Sequence, residues 1–327
     1  MTELIVFVGL VLLILVHELG HFATAKWFGM YVEEFGIGFP PRLFSRKRGE
    51  TRYSLNLIPL GGFVKLHGEL DGSSARSFMR EKAWKRAIVL VAGIVMNFIA
   101  GALIFSAVLW VGVPPAVFIS DVTDSGPAAR AGLMRGDIIN DWTDPNAFMA
   151  YVKKHRGEPI TISVTRSGEI KKVTMVPRIK APLGEGALGI GLIGGGAMST
   201  GFWDGLKGGF VMACGTVWSV VVGLKSIVYE PQAIVGPIGI FRVASGAGAI
   251  GFAYVLQLLG VISLNLAVLN LLPIPALDGG RLLFIVIEKI RGNQFSPQFE
   301  GRANGLSFIV LIALVVAVTV KDVVALL

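Results

Sequence analysis

A chain of 327 residues that is 53% hydrophobic and only 16% charged has too little polar surface for an ordinary soluble fold. Its mean hydropathy of +0.68 is that of a polytopic membrane protein. The net charge of +8 suggests nucleic acid at first sight, but the lysines and arginines cluster in loops beside apolar spans. That is the topological use of positive charge, so a lipid bilayer rather than a nucleic acid is the expected partner. A single cysteine, Cys214, excludes an internal disulfide framework and a cysteine-rich zinc site, and is read as a small apolar residue.

The first apolar run covers residues 4 to about 26 and ends at Lys26 and Trp27, which suit a membrane interface. Thr2 and Glu3 precede it instead of a basic n-region, and no small-residue cleavage site follows, so a retained span is expected rather than a secretory signal. With no Arg/Ser-rich transit segment, a bacterial plasma membrane is favoured over an organelle. Inside this span stands His17-Glu18-Leu19-Gly20-His21. Ionisable side chains are costly at hydrocarbon depth and mark function there. On a helix, His17 and His21 lie one turn apart on one face, where two imidazoles can share one metal ion. Glu18 beside them is placed to act on a water as general base rather than as a ligand.

Residues 28–87 form a basic loop containing Arg42, Arg46, Lys47, Arg48, Arg52, Lys82, Lys85 and Arg86. Within it, residues 53–66 alternate in polarity and break at Pro59-Leu60-Gly61-Gly62, which predicts a β-hairpin apolar enough to lie against or dip into the membrane. A second span is expected at 87–112; it holds Gly93-x-x-x-Asn97 and Gly101, small residues that let helices approach closely, and Asn97 needs a polar partner. These elements make a first unit of residues 1–115.

Charges return over 116–181, where short strand-like runs flank Ser125-Gly126-Pro127-Ala128-Ala129 and Arg135-Gly136-Asp137-Ile138-Ile139. This predicts a small inserted α+β domain, near the lower size limit for an independent core. Residues 182–250 are expected to be a Gly-rich linker followed by an ambiguous stretch, 202–228, that is apolar but Gly-broken and bounded by Lys207 and Lys225. The remainder, 251–327, holds two further spans. One covers 252–290 and is interrupted between Asn270 and Gly280 by Pro273 and Pro275; the other covers 305–320 and its flanks.

Charge asymmetry orients these spans. The basic 28–87 loop belongs in the cytoplasm, which puts the N-terminus and the inserted domain outside. The region of Arg281, Lys289, Arg291 and Arg302 is basic too and belongs on the same side as that loop. Both conditions hold if 202–228 does not cross but lies as an amphipathic helix on the outer surface or dips into it. Four crossings result, and the first and third run in parallel. His17 then lies about thirteen residues along its span, roughly 20 Å into a core of about 30 Å. Asp278 lies near the cytoplasmic end of the parallel span, so the two can meet. Broken backbone at membrane depth is tolerated where it is buried in protein or lines a wet cavity.

A hydrolytic zinc takes three protein ligands and keeps one position open. His17 and His21 supply two, and Asp278 is the carboxylate placed within a span to supply the third. Glu18 can then take a proton from the attacking water and return it to the leaving amine.

Taken together, HELGH, Gly93-x-x-x-Asn97 and Asn270-x-x-Pro273-x-Pro275-x-Leu277-Asp278-Gly279 resemble the site-2 protease family of intramembrane zinc metalloproteases. The similarity extends over essentially the whole chain, including Gly236-Pro237-Ile238-Gly239, and the inserted domain makes the bacterial RseP-like branch the best match. The resemblance implies zinc on His17, His21 and Asp278, with Glu18 as general base. It further implies that Asn270 hydrogen-bonds the substrate or the developing oxyanion. Asn97 either assists or packs between helices. The element around Gly62, Phe63 and Val64 resembles the family's membrane-associated β structure, which implies substrate capture by strand addition; a plain cytoplasmic hairpin is the alternative.

The inserted domain resembles a PDZ domain through Gly126-Pro127-Ala128-Ala129-x-Ala131-Gly132-Leu133-x-x-Gly136-Asp137-Ile138-Ile139, which implies a gate against bulky ectodomains. Only one such domain fits, where relatives of this branch often carry two. The usual Ile-x-Gly continuation is replaced by Asn140-Asp141-Trp142-Thr143-Asp144. Expected substrates are single-pass membrane proteins already trimmed by another protease, such as anti-sigma factors, and remnant signal peptides. A transporter or a non-proteolytic metal-dependent regulator is the rival, since broken helices and midplane polar groups also serve transport. Against it, the chain has no repeated pair of broken spans, and transport has no use for Glu18 beside two histidines.

Overall fold

The computed structural model describes residues 2–68, 76–166, 169–182, 185–197, 199–229 and 236–324. Helix α1 (Thr2–Trp27) carries Glu3 in its first turn and Lys26 in its last, each complementing the helix dipole at its own end. Among the described residues, five helices are long and apolar enough to cross a membrane: α1, α2 (Ala83–Val111), residues Phe202–Leu224 of α5 (Phe202–Tyr229), α7 (Phe252–Leu271) and α9 (Pro297–Val324). With two β-sheets between them, these helices make a polytopic membrane protein.

Small residues decide how the helices meet. Gly20 of α1 lies on the backbone of Ala92 and Gly93 in α2, so closely that a methyl group there would sit 2.5 Å from the Ala92 carbonyl oxygen. Gly101 of α2 receives Leu264 of α7, and Gly260 of α7 receives Phe105, so α2 and α7 run antiparallel. α5 starts at the end of α2, where Trp110 stacks on Phe202, and continues back along α2 with Gly209 against Ser106 and Phe210 against Phe98. α1, α5 and α7 therefore run one way and α2 the other.

This path differs from the surface-lying helix expected for 202–228. The charge argument used parity alone, and parity is also kept if the chain returns before α7. Helix α6 (Pro237–Ile250) makes that return: it runs antiparallel to α1, with Gly248 against Thr2 and Ala244 in one cluster with Val6. The interrupted span expected over 252–290 divides into α7 and a separate amphipathic helix, α8 (Asp278–Arg291), which is too short and too charged to cross.

The loop after α1 is more elaborate than a hairpin at Pro59-Leu60-Gly61-Gly62. Strands β1 (Val32–Arg48) and β2 (Thr51–Leu66) turn at Gly49 and Glu50, and the predicted turn residues lie inside β2. Phe35 partners Val64 on one side and Tyr53 on the other, and Tyr53 also partners Arg46. Two strands thus supply four sheet segments in the order 42–48, 51–56, 34–37, 62–66. The folds occur at Gly38 and Gly61, whose positive φ angles of 76° and 110° suit residues without a Cβ. Segment 62–66 lies at one edge of this curled sheet, nearest α1.

The inserted domain is a five-stranded sheet, order β6-β5-β4-β3-β7, built from β3 (Val113–Val122), β4 (Ile138–Ile139), β5 (Ile160–Arg166), β6 (Glu169–Met175) and β7 (Ile190–Ala197). Helices α3 (Pro127–Arg130) and α4 (Pro145–Lys154) complete it. Its boundaries are wider than 116–181, because β7 from the expected linker pairs with β3. Glycines in β7 hid that strand from periodicity. Phe148, Ile119, Ile139, Ile160, Ile162 and Val164 form its core. The buried Asp137 is held by both Arg166 Nε and Nη2 at 2.7 Å, and the carboxylate beside Arg166 raises the guanidinium's already high pKa.

Candidate metal centre

His17 and His21 occupy the face of α1 turned toward α2 and the start of α8, and both are buried. Asp278, in the first turn of α8, completes a group whose ligand atoms lie within 4.8 Å of one another. Asp278 Oδ2 is 3.0 Å from His17 Nε2 and 3.2 Å from His21 Nε2, and the two Nε2 atoms are 3.0 Å apart. His21 Nδ1 lies 2.7 Å from the Val89 carbonyl oxygen, which can only accept, so Nδ1 carries the proton and Nε2 presents a lone pair. Asp278 Oδ2 is buried and accepts no hydrogen bond of acceptable geometry. Two imidazole nitrogens and a carboxylate oxygen converging in this way make an arrangement that a cation satisfies. Ligand atoms of a tetrahedral zinc with bonds of about 2 Å stand roughly 3.2–3.5 Å apart, close to these spacings. The residues fit zinc.

Local sequence explains the convergence. Pro273 and Pro275 lack the N–H a helix needs, so α7 stops at Leu271, and the chain turns through Leu272–Leu277 before α8 begins. Side chains at Gly279 or Gly280 would run into the carbonyl groups of Leu271 and Ile274; glycines let the turn fold flat against α8. Farther along α8, the buried Glu288 accepts from Arg86 Nη2 of α2 at 2.6 Å. A desolvated pair of this kind sets registry more than it stabilises, and here it fixes the helix bearing Asp278 against α2. Gly93 is required at the centre: a methyl group there would lie 2.5 Å from His21 Nε2 and 2.8 Å from His17 Cε1.

A cavity of about 260 Å³ opens beside the three ligands, lined by Glu18, Asn270, Phe63, Val64, Leu277 and Arg281 among others. Of the residues singled out from sequence, Glu18, Asn270, Phe63 and Val64 thus reach the same space as His17, His21 and Asp278. Gly62 is at the sheet edge, where a Cβ would lie 3.5 Å from Glu18 Cγ, and the Val64 backbone N–H is within hydrogen-bonding reach of the Glu18 carboxylate. Asn97 differs: it is fully buried behind His17, 3.3 Å from its Nδ1, and does not line the cavity. Sequence reasoning missed Val89, which acts through a carbonyl that every residue has, and Arg281, whose guanidinium stacks 5.4 Å from the Phe78 ring centroid. Arg281 stands one turn beyond Asp278 on α8, and that spacing was its available signal.

A convergent His/His/Asp group with a carboxylate beside it, opening among helices of spanning length, has the composition of a membrane-embedded metallohydrolase site. Known proteins make this specific. The family model described as peptidase family M50 matches residues 5–314. The chain belongs to that family, the site-2 proteases, and is a zinc metalloprotease.

Among its relatives, a Clostridium acetobutylicum protein with the provisional name of a zinc metalloprotease is 33% identical, over 95% of this chain and 94% of that one. A similarly named protein of Clostridium perfringens is also 33% identical, over 95% of each chain. The zinc metalloprotease RasP of Geobacillus kaustophilus is 28% identical, again over 95% of each.

Proposed function

We propose that His17, His21 and Asp278 hold the zinc, that Glu18 is the general base, and that the enzyme cleaves single-pass membrane proteins within or at the edge of their membrane segments. The observation that carries this is the cavity that Glu18 and Asn270 share with the three convergent ligands, bordered by the sheet edge at Phe63 and Val64. Zinc, when bound, supplies Lewis acidity at the open side of the triad. Glu18 takes a proton from the attacking water and returns it to the leaving amine. The Val64 backbone N–H stands close enough to the Glu18 carboxylate to help orient it. The side-chain amide of Asn270 donates to the carbonyl oxygen as negative charge develops there.

A transmembrane helix hides its amide bonds in its own hydrogen-bond ladder, so cleavage requires unwinding. Among the described residues, segment 62–66 pairs with 34–37 on one side only, and its other side borders the cavity. An extended substrate strand added at that edge gains backbone hydrogen bonds that replace those of its helix. Exposed Phe39, Leu43, Phe44, Leu55, Leu57 and Ile58 give this sheet an apolar surface that suits the membrane boundary. We place the enzyme in a bacterial plasma membrane, with the basic 28–87 region cytoplasmic, the N-terminus and inserted domain outside, and the metal site near the cytoplasmic side. The inserted domain, read as a single PDZ-like unit, gates access so that only substrates trimmed by another protease enter. Anti-sigma factors and remnant signal peptides are the substrate classes of this reading.

Mass spectrometry of products from a single-span substrate, cleaved in bilayers, tests the proposal. The cut is expected inside the apolar segment toward its cytoplasmic end, and helix-weakening residues such as glycine or asparagine near the cut should raise the rate. Cleavage confined to extramembrane residues and indifferent to helix strength would overturn it.

A further inference from the structure

A histidine that gives Nε2 to a metal carries its proton on Nδ1 and needs an acceptor there. For His21 the Val89 carbonyl provides it. For His17 the atom opposite Nδ1 is Asn97 Nδ2 at 3.3 Å, which is itself a donor, while Asn97 Oδ1 is buried with no hydrogen-bond partner among the described residues. One contact sets two donors face to face, and one acceptor next to it is orphaned. Turning the amide by 180° exchanges two atoms of nearly equal size and resolves the first of these: Oδ1 then receives the His17 Nδ1–H.

We propose that Asn97 is the positioning residue of the metal centre, its side-chain oxygen accepting from His17 Nδ1 and so holding Nε2 toward the zinc. The proposal rests on His17 being a zinc ligand. It moves Asn97 from the substrate to the layer behind the ligands, consistent with its complete burial. It also gives Gly93-x-x-x-Asn97 a single purpose. One turn apart on α2, Gly93 leaves the space that the two imidazoles occupy and Asn97 orients one of them. The Ser263 hydroxyl of α7 donates to the Asn97 backbone carbonyl at 2.7 Å, so a third helix steadies the turn bearing the amide. Each histidine then has its own outer acceptor from α2, a backbone carbonyl for one and a side-chain amide for the other.

The test is zinc affinity, measured on the full chain in lipid nanodiscs by titrating metal-free protein with zinc against a competing chelator. Asn97→Leu is expected to weaken binding by about 10- to 100-fold, the usual cost of losing such an outer partner. Asn97→Asp keeps an oxygen in place and is expected to stay within about threefold of wild type, since the acceptor role survives. Thermal unfolding of the metal-free forms checks that the variants are folded, and Asn97→Ala replaces Asn97→Leu if the larger side chain prevents folding. Wild-type affinity in both Asn97→Leu and Asn97→Ala overturns the proposal. So does Asn97→Asp binding as weakly as Asn97→Leu, which would mean that Nδ2 is the working atom. His17→Ala separates the two levels: unchanged affinity in that variant would instead remove the zinc assignment on which the proposal stands.

Discussion

Glu18→Gln is expected to keep its zinc and to lose about 10²- to 10⁴-fold in cleavage rate, the contribution of a positioned general acid–base group. Glutamine fills the same volume and can still lie near the Val64 backbone, so the cavity keeps its shape. What it loses is the ability to take a proton from water and deliver it to the amine. Because Glu18 is outside the donor set formed by His17, His21 and Asp278, metal content and rate should separate in this variant. Rates measured on a single-span substrate at saturating zinc, with metal content determined on the same sample, check this. Undiminished cleavage would remove Glu18 from the mechanism.

The second large effect is expected from one methyl group. In Gly93→Ala the new Cβ would lie 2.5 Å from His21 Nε2 and 2.8 Å from His17 Cε1, so at least one imidazole must move. Neither can move freely: His21 is tied to the Val89 carbonyl and His17 lies against Asn97. The helices cannot separate cheaply either, because Gly20 already rests on the backbone of Ala92 and Gly93. Displacing a ligand by about 1 Å can cost on the order of 10²-fold in rate, and here two ligands are affected. Alanine favours a helix over glycine by about 1 kcal/mol, so α2 itself should not be weakened. Loss of zinc binding and cleavage in a chain that still folds is the expected result, read by metal titration alongside thermal unfolding. A Gly93→Ala enzyme with wild-type zinc affinity would contradict the site's geometry.

Side chains that had to be unusual for their surroundings were legible in the sequence. HELGH was visible because three ionisable groups stand in an apolar run, and Asp278 because it follows a double-proline break in a span parallel to the first. The curled sheet was not legible. Phe35 pairs with residues on both sides, far apart in the chain, and no local alternation reveals a strand folded back on itself. The packing of 202–228 along α2 was not legible, because charge bias constrains only which loops share a side. It carried no information about α6, whose return toward α7 allows α5 to lie along α2. Strand β7 escaped because its glycines erased the period of two. Asn97 was recognised as a polar group needing a partner, but its partner, an imidazole already committed to another task, required three dimensions.

Zinc stoichiometry of purified protein tests most directly whether His17, His21 and Asp278 together hold one zinc. Wild type and Glu18→Gln should each carry stoichiometric zinc, while Asp278→Ala and the double variant His17→Ala/His21→Ala should carry almost none. Stoichiometric zinc persisting in Asp278→Ala and in the double-histidine variant would place the metal elsewhere and contradict the account.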